Sequence, residues 1–184
     1  MNALRKFVAG SAYRLEQFWQ LVAAQPLSVG AWAEVESVLS DEEVVLFRKM
    51  STTDQGHSLR VLRTLRGAGH ADPDLLAAAL LHDVGKGRVR LRLWERVLGA
   101  VVEEVAPALV SHWGNGASGE AEGWRRPFAI RARHAHWGAE MAAAAGSSPT
   151  TVALIRHHQE GTVPTADQQV QLLLRRLQWA DNQN

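Results

Sequence analysis

Apolar residues recur every three or four positions along most of the chain, which is the spacing of one face of an α-helix. A first amphipathic stretch covers residues 3–24 and ends before Pro26. Further stretches with this spacing surround residues 57–65, 75–81, 133–142, 151–158 and 172–181. Runs of β-branched residues are few, whereas alanine and leucine are frequent. The pattern predicts an all-α protein built as a single-domain helical bundle.

Several helix boundaries are signalled by residues that cap free backbone groups or fix the first turn. The predicted starts are Ser40 with Glu43, Asp72-Pro73, Ser148-Pro149, and Thr165 with Gln168. Gly85 and Gly87 predict the end of the helix that covers residues 75–81. Residues 111–127 are rich in glycine and lack periodicity, so they predict either an ordinary surface loop or a mobile flap.

A histidine next to an aspartate closes the apolar helix, at His82-Asp83. Ionisable groups at the end of a buried helix are costly unless each has a partner. A metal ion would satisfy both side chains. Alternatively, an arginine or a helix end binds the aspartate while the histidine packs as a neutral ring. This pair alone leaves the two interpretations equally open.

Further imidazole and carboxyl groups lie on the other predicted helices, and they are His57, His134, the doublet His157-His158, and Asp181. The gaps between successive groups are 25, 51, 23 and 23 residues, so only folding can bring them together. The chain has no cysteine, which excludes disulfides and thiolate ligands. Nitrogen and oxygen ligands of this kind suit divalent manganese, iron, nickel, cobalt or zinc.

The ordered set resembles the HD superfamily of metal-dependent phosphohydrolases. In that family a histidine precedes a His-Asp pair and a later aspartate, and His57, His82, Asp83 and Asp181 match this order. Dinuclear members carry further histidines, and the residues similar to those are His134, His157 and His158. The resemblance implies seven ligands and two metal ions.

The resemblance covers residues 50–184, where it implies an HD-type bundle. Residues 1–49 carry no motif of the family and are expected to form an N-terminal helical extension packed on this core. The resemblance also implies hydrolysis of a phosphoester or phosphoanhydride bond by a metal-activated hydroxide, with Asp83 bridging the metals. Lys86, in the string HDVGK, resembles the family's phosphate-binding lysine and is expected to be catalytic together with Asp83. Arg88 is expected to bind the same substrate phosphate.

Two positions distinguish the chain from the HD-GYP branch, which cleaves cyclic di-GMP. No tyrosine follows Tyr13, so the Gly-Tyr-Pro signature is missing. Trinuclear members carry an acidic residue where this chain has Thr53, and Asp54 points about 100° away on a helix. Two metals are therefore expected rather than three. The substrate is expected to be a nucleotide or a (cyclic) dinucleotide, without a residue that decides between them.

Alternatives remain open at the neighbouring histidines. Because His134 and His136 are two positions apart, they face roughly opposite sides of a helix, and only one can be a ligand. His134 is chosen because it lies four residues before Gly138, as in the family's spacing. His136 is otherwise solvent-facing or a substrate contact. His157 and His158 could bind two metals, or one could bind phosphate, or both could be structural.

Composition and charge indicate the size of the domain and the kinds of molecule it is expected to bind. A chain of 184 residues, 46% of them hydrophobic, fits one compact domain. Residues 86–96 carry five positive charges against Glu95, which would attract a phosphorylated substrate unless they form a solvated helix face. With a net charge of +1 and no extended basic stripe, a nucleic-acid duplex is not expected. For Trp137 and Trp179, core packing is favoured over stacking on a base.

No signal peptide or apolar stretch of about 20 residues is evident, so a cytoplasmic protein without a membrane partner is expected. Residues 1–49 could form a homodimer, cover the site or extend the core. The competing function is a regulatory or nucleotide-binding HD-like module without turnover. A third alternative is a mononuclear nucleotidase that uses only His57, His82, Asp83 and Asp181.

Overall fold

The structure is a computed structural model that describes residues 25–88, 126–160 and 167–184. Within these ranges the chain forms α-helices and one 3-10 helix, with no strand, which confirms the all-α fold class. The helix predicted for residues 3–24 lies outside the described residues. So does the loop predicted for residues 111–127, except that positions 126 and 127 begin a helix.

Seven α-helices follow one another in the described ranges. They are α1 (Val29–Glu36), α2 (Asp41–Phe47), α3 (Thr52–Gly67), α4 (Pro73–Leu81), α5 (Arg126–Ala144), α6 (Pro149–His157) and α7 (Gln168–Asn182). The 3-10 helix, Val84–Arg88, follows α4 directly. None of the helices in these ranges is long and apolar enough to cross a lipid bilayer.

Three of the predicted helix starts are confirmed. The hydroxyl of Ser40 accepts a hydrogen bond from the amide of Glu43, whose carboxylate accepts one from the Ser40 amide at 2.9 Å. Asp72 and Ser148 cap α4 and α6, each followed by proline in the first turn. These caps satisfy amides that the helix itself leaves without a partner.

Two predicted boundaries are wrong. Helix α7 begins at Gln168 with Asp167 as its cap, and Thr165 lies outside the described residues. The Asp167 carboxylate accepts from the amides of the second and third residues of α7, which makes it the better cap. Gly85 and Gly87 do not end α4 either, because α4 ends at Leu81 and both glycines lie inside the 3-10 helix.

Helix α4 is the centre of the bundle, and each residue from position 75 to position 81 is buried. It packs against α3, α6 and α7. A helix that is apolar on all sides needs neighbours on all sides, and these three helices supply them. The His-Asp pair therefore leaves the core at the point where several helices converge.

Helices α1 and α2 share this core. Val35 and Phe47 are fully buried in the same cluster as the leucines of α3 and α4. Trp32 packs edge-on against Phe47, with ring centroids 5.8 Å apart. Ser147, two residues before α6, also donates a hydrogen bond to Glu43 of α2 at 2.5 Å.

Candidate metal centre

Five helices each contribute ionisable groups to one region of the bundle. The contributing residues are His57 on α3, His82 and Asp83 after α4, His134 on α5, His158 after α6, and Asp181 on α7. His82, Asp83, His134 and His158 are buried. The fold thus gathers six of the seven side chains predicted as metal ligands.

The 3-10 helix lies directly against α5 because glycines face each other at the contact. A Cβ added to Gly85 would lie 1.9 Å from the carbonyl oxygen of His134 and 2.6 Å from the amide nitrogen of Gly138. This close approach brings Asp83 next to His134. Sequence reasoning missed this role of Gly85, although glycine at both positions is the signal that could have revealed it.

Three of the imidazoles are oriented by their own helices. Each donates its Nδ1–H to the carbonyl three residues earlier, at 3.0 Å for His82, 2.9 Å for His134 and 2.8 Å for His158. A carbonyl oxygen only accepts, so Nδ1 carries a proton, and Nε2 carries the lone pair whenever the ring is neutral. Metal-binding histidines commonly use this arrangement, in which the second nitrogen fixes the ring.

One group of ligand atoms forms around Oδ1 of Asp83. This oxygen lies 3.3 Å from Nε2 of His134 and 3.9 Å from Nε2 of His158. The two Nε2 atoms are 3.3 Å apart. Because Nδ1 is the donor in both rings, two lone pairs and an anionic oxygen face one another. A cation between them, a proton or a metal ion, would remove this repulsion.

A second group forms around Oδ2 of Asp83. This oxygen lies 3.5 Å from Nε2 of His82, which also lies 3.5 Å from Oδ1 of Asp181. His57 Nε2 is 2.8 Å from the same Asp181 oxygen. Among the described residues, Nε2 of His82 is buried without a hydrogen-bond partner. An unpartnered buried nitrogen is costly, and a metal ion would satisfy it.

The two groups share the carboxylate of Asp83, with one oxygen facing each. Ligand atoms of His57, His82 and Asp83 lie within 4.8 Å of one another, and so do those of Asp83, His134 and His158. Imidazole nitrogens and carboxylate oxygens without thiolates suit divalent transition metals. The residues present could therefore hold divalent cations.

His157 and His136 lie apart from both groups. Nδ1 of His157 is 2.8 Å from a carboxylate oxygen of Glu160, so the ring faces a neighbouring surface residue. His136 is exposed, with Nε2 3.1 Å from Glu140 and Nδ1 2.6 Å from Arg156. The structure thus brings His158 of the doublet to the centre, and does not bring His157 there.

The two residues predicted to bind phosphate lie on the 3-10 helix. Nζ of Lys86 is 2.5 Å from Oδ2 of Asp83. Arg88 lies farther along, 3.6 Å from Glu140 and with its guanidinium 5.3 Å from the ring centroid of Trp137. The core-packing prediction is wrong for Trp179, because 45% of this residue is exposed.

Neighbouring charges keep both carboxylates ionised. Burial raises the pKa of Asp83, but the charges of Lys86 and His82 outweigh burial and hold that pKa well below its usual value. Burial likewise opposes ionisation of Asp181, and the hydrogen bond from His57 together with the nearby His82 lowers its pKa. Both side chains are therefore anionic at neutral pH, as a cation site requires.

Two buried histidines differ in their affinity for protons. Burial and the nearby charge of His82 lower the pKa of His158 to about 3, so its Nε2 keeps a free lone pair near neutral pH. Burial also lowers the pKa of His82, but the charges of Asp83 and Asp181 outweigh it and raise that pKa above its usual value. A proton on His82 therefore competes with a metal ion.

Metal binding should release protons from this site. At pH 6.5, the usual pKa of histidine, the raised pKa leaves His82 more than half protonated in the metal-free protein. A cation must displace that proton, so apparent affinity should fall up to about tenfold per pH unit below the raised pKa. Calorimetric titration with Mn²⁺ in buffers of different ionisation enthalpy measures the release. Binding at pH 6.5 with no proton release would contradict the competition.

Comparison with protein-family models matches residues 55–183 to the HD domain. The match covers more than half of the chain and contains all six of the gathered side chains. Comparisons with curated proteins and with solved structures found no match. The HD domain is generally found in hydrolases that bind divalent metals, in agreement with the His/Asp cluster described above. The chain belongs to the HD domain family.

Proposed function

We propose that the protein is a metal-dependent phosphohydrolase that cleaves a phosphoester or phosphoanhydride bond of a nucleotide or (cyclic) dinucleotide. The observation that carries this proposal is the position of Asp83 between two groups of ligand atoms. One carboxylate facing two such groups is the arrangement expected of a ligand that bridges two cations. Sites with two metals recur among enzymes that transfer or hydrolyse phosphoryl groups.

In this proposal the cations are held by the gathered side chains. His57, His82 and Asp181 would hold one cation, His134 and His158 would hold the other, and Asp83 would contribute to both. When bound, divalent cations polarise phosphoryl oxygens and lower the pKa of water, which supplies a nucleophile at neutral pH. His157, predicted as a further ligand, would have to turn away from Glu160 to join the second group.

The exposure of the side chains around the centre supports one direction of approach for the substrate. The side chains of His57, Asp181 and Lys86 are 23%, 31% and 37% exposed, whereas those of His134 and His158 are buried. Substrate would therefore approach from the side of Lys86. Its ammonium group would bind nonbridging phosphate oxygens and stabilise the negative charge that grows there during hydrolysis. Arg88 would add a second positive charge on the same 3-10 helix.

Family membership and this positive charge support a phosphorylated substrate, and the choice of a nucleotide rests on the family resemblance. The test uses purified full-length protein, stripped with chelator and reloaded with Mn²⁺ or another divalent transition metal. A chromogenic phosphodiester and a panel of mononucleotides, dinucleotides and cyclic dinucleotides are then assayed. The expected result is two ions per chain and hydrolysis by the reloaded protein alone.

Other outcomes select the alternatives. One ion per chain with retained turnover would favour the mononuclear nucleotidase. Bound metal without turnover on any phosphorylated compound would favour the regulatory, nucleotide-binding module. A protein that binds no divalent metal at all would refute the proposal, because the nucleophile in it depends on bound cations.

A further inference from the structure

Lys86 forms an ion pair with one oxygen of the shared carboxylate. Its Nζ lies 2.5 Å from Oδ2 of Asp83, the oxygen that faces His82. The other oxygen, Oδ1, faces His134 and His158. We propose that Lys86 is an internal competitor for Asp83: it neutralises the metal-free site and must release Oδ2 when a divalent cation binds beside His57 and His82.

The competition follows from the burial of Asp83. A buried carboxylate needs a cation beside it, and an ammonium group serves when no metal is present. Arg88, the next cation on the 3-10 helix, lies near Glu140 and Trp137 instead. A divalent cation beside His82 would need Oδ2 of Asp83, which is the oxygen that Lys86 already contacts.

Release of Lys86 requires no change in the fold. Its side chain is partly exposed, and lysine carries its charge on a flexible four-carbon chain. Rotation of that chain can move Nζ from Oδ2 into the open side of the centre. The ammonium group would then be free to bind substrate phosphate. This inference rests on the proposed function. It links metal binding to substrate binding, since a bound metal ion would release the lysine charge that binds phosphate.

The test measures metal affinity without substrate. Chelator-stripped full-length protein is titrated with Zn²⁺ against a competing chelator, for the wild type and for Lys86→Met, Lys86→Arg and Arg88→Met. Lys86→Met should bind Zn²⁺ at least about tenfold more tightly, because a charge in contact with the ligand oxygen is removed. Lys86→Arg should remain close to wild type. Arg88→Met should change affinity by no more than about twofold, since solvent screens its charge.

Thermal unfolding separates this role from a purely structural one. Lys86→Met should lower the melting temperature of the stripped protein, because Asp83 loses its counter-ion, while the stabilisation by saturating Zn²⁺ should increase. If stripped Lys86→Met does not fold, loaded protein is challenged with chelator, and Zn²⁺ should leave more slowly than from the wild type.

The outcomes distinguish this inference from the proposed function. Wild-type protein that binds Zn²⁺, with unchanged or weaker binding by Lys86→Met, would overturn the competition and leave the hydrolase proposal intact. An equal gain in affinity for Arg88→Met would also overturn it, because general electrostatics would then explain the effect. Wild-type protein that binds no divalent metal would overturn both.

Discussion

Asp83→Asn protein should lose together the metal binding and the phosphohydrolase activity that we propose. The asparagine side chain has nearly the same shape, but it removes the negative charge that both groups of ligand atoms share. Mutation of a group that only hydrogen-bonds to a metal ligand weakens metal binding by up to about a hundredfold. Loss of the ligand's own charge should therefore weaken metal binding by at least about a hundredfold. Elemental analysis of the purified variant and hydrolysis at saturating Mn²⁺ measure the two effects.

His136→Asn provides the matched control. His136 lies on the same helix as His134 but is exposed and paired with surface residues, so this variant should keep the wild-type metal content. The same change at His134 should lose metal, because its Nε2 lies 3.3 Å from Oδ1 of Asp83. An Asp83→Asn protein with normal metal content and normal turnover would refute the assignment of Asp83 as the bridging ligand.

Gly85→Ala should strongly destabilise the protein and disrupt the centre. The added methyl group would lie 1.9 Å from the His134 carbonyl oxygen and 2.6 Å from the Gly138 amide nitrogen, and both atoms belong to backbone. The 3-10 helix must then move away from α5 and carry Asp83 away from His134. Overpacking of this kind costs about 3 kcal/mol. For a domain of this size, the melting temperature should fall by about 6–12 °C.

Thermal unfolding and metal analysis check this prediction. Gly30→Ala is the control, since a Cβ there meets no atom within 4 Å and the residue lies in α1. It should leave stability unchanged or raise it by up to about 1 kcal/mol, because alanine favours helix more than glycine does. If Gly85→Ala melts with the wild type and holds as much metal, the tight contact does not position Asp83.

The sequence predicted most of the described helices, and the reasons are physical. Apolar spacing determines which face of a helix is buried, and capping residues determine where α2, α4 and α6 begin. The residues predicted as ligands lie on or directly after α3 to α7, where a buried ionisable side chain needs a partner. The geometry then brought six of the seven together, which the spacing along the chain alone could not establish.

Other features depend on how the helices pack, which the sequence does not determine locally. His157 and His158 are about 100° apart on a helix, so the packing of α6 decided which one faces the centre. The ion pair of Lys86 and the contact of Gly85 with α5 join elements whose distance is set by tertiary structure. Trp179 lies on α7, and its exposure likewise depends on which face of that helix its neighbours cover.

The packing of α1 and α2 has a consequence for truncated versions of the chain. The match to the family model begins at residue 55, yet Val35 and Phe47 are completely buried among the leucines of the bundle. A fragment that started at residue 50 would expose those leucines to water and lose the hydrogen bond between Glu43 and Ser147. Such a fragment would be prone to aggregate, although it would retain all six side chains of the candidate metal centre.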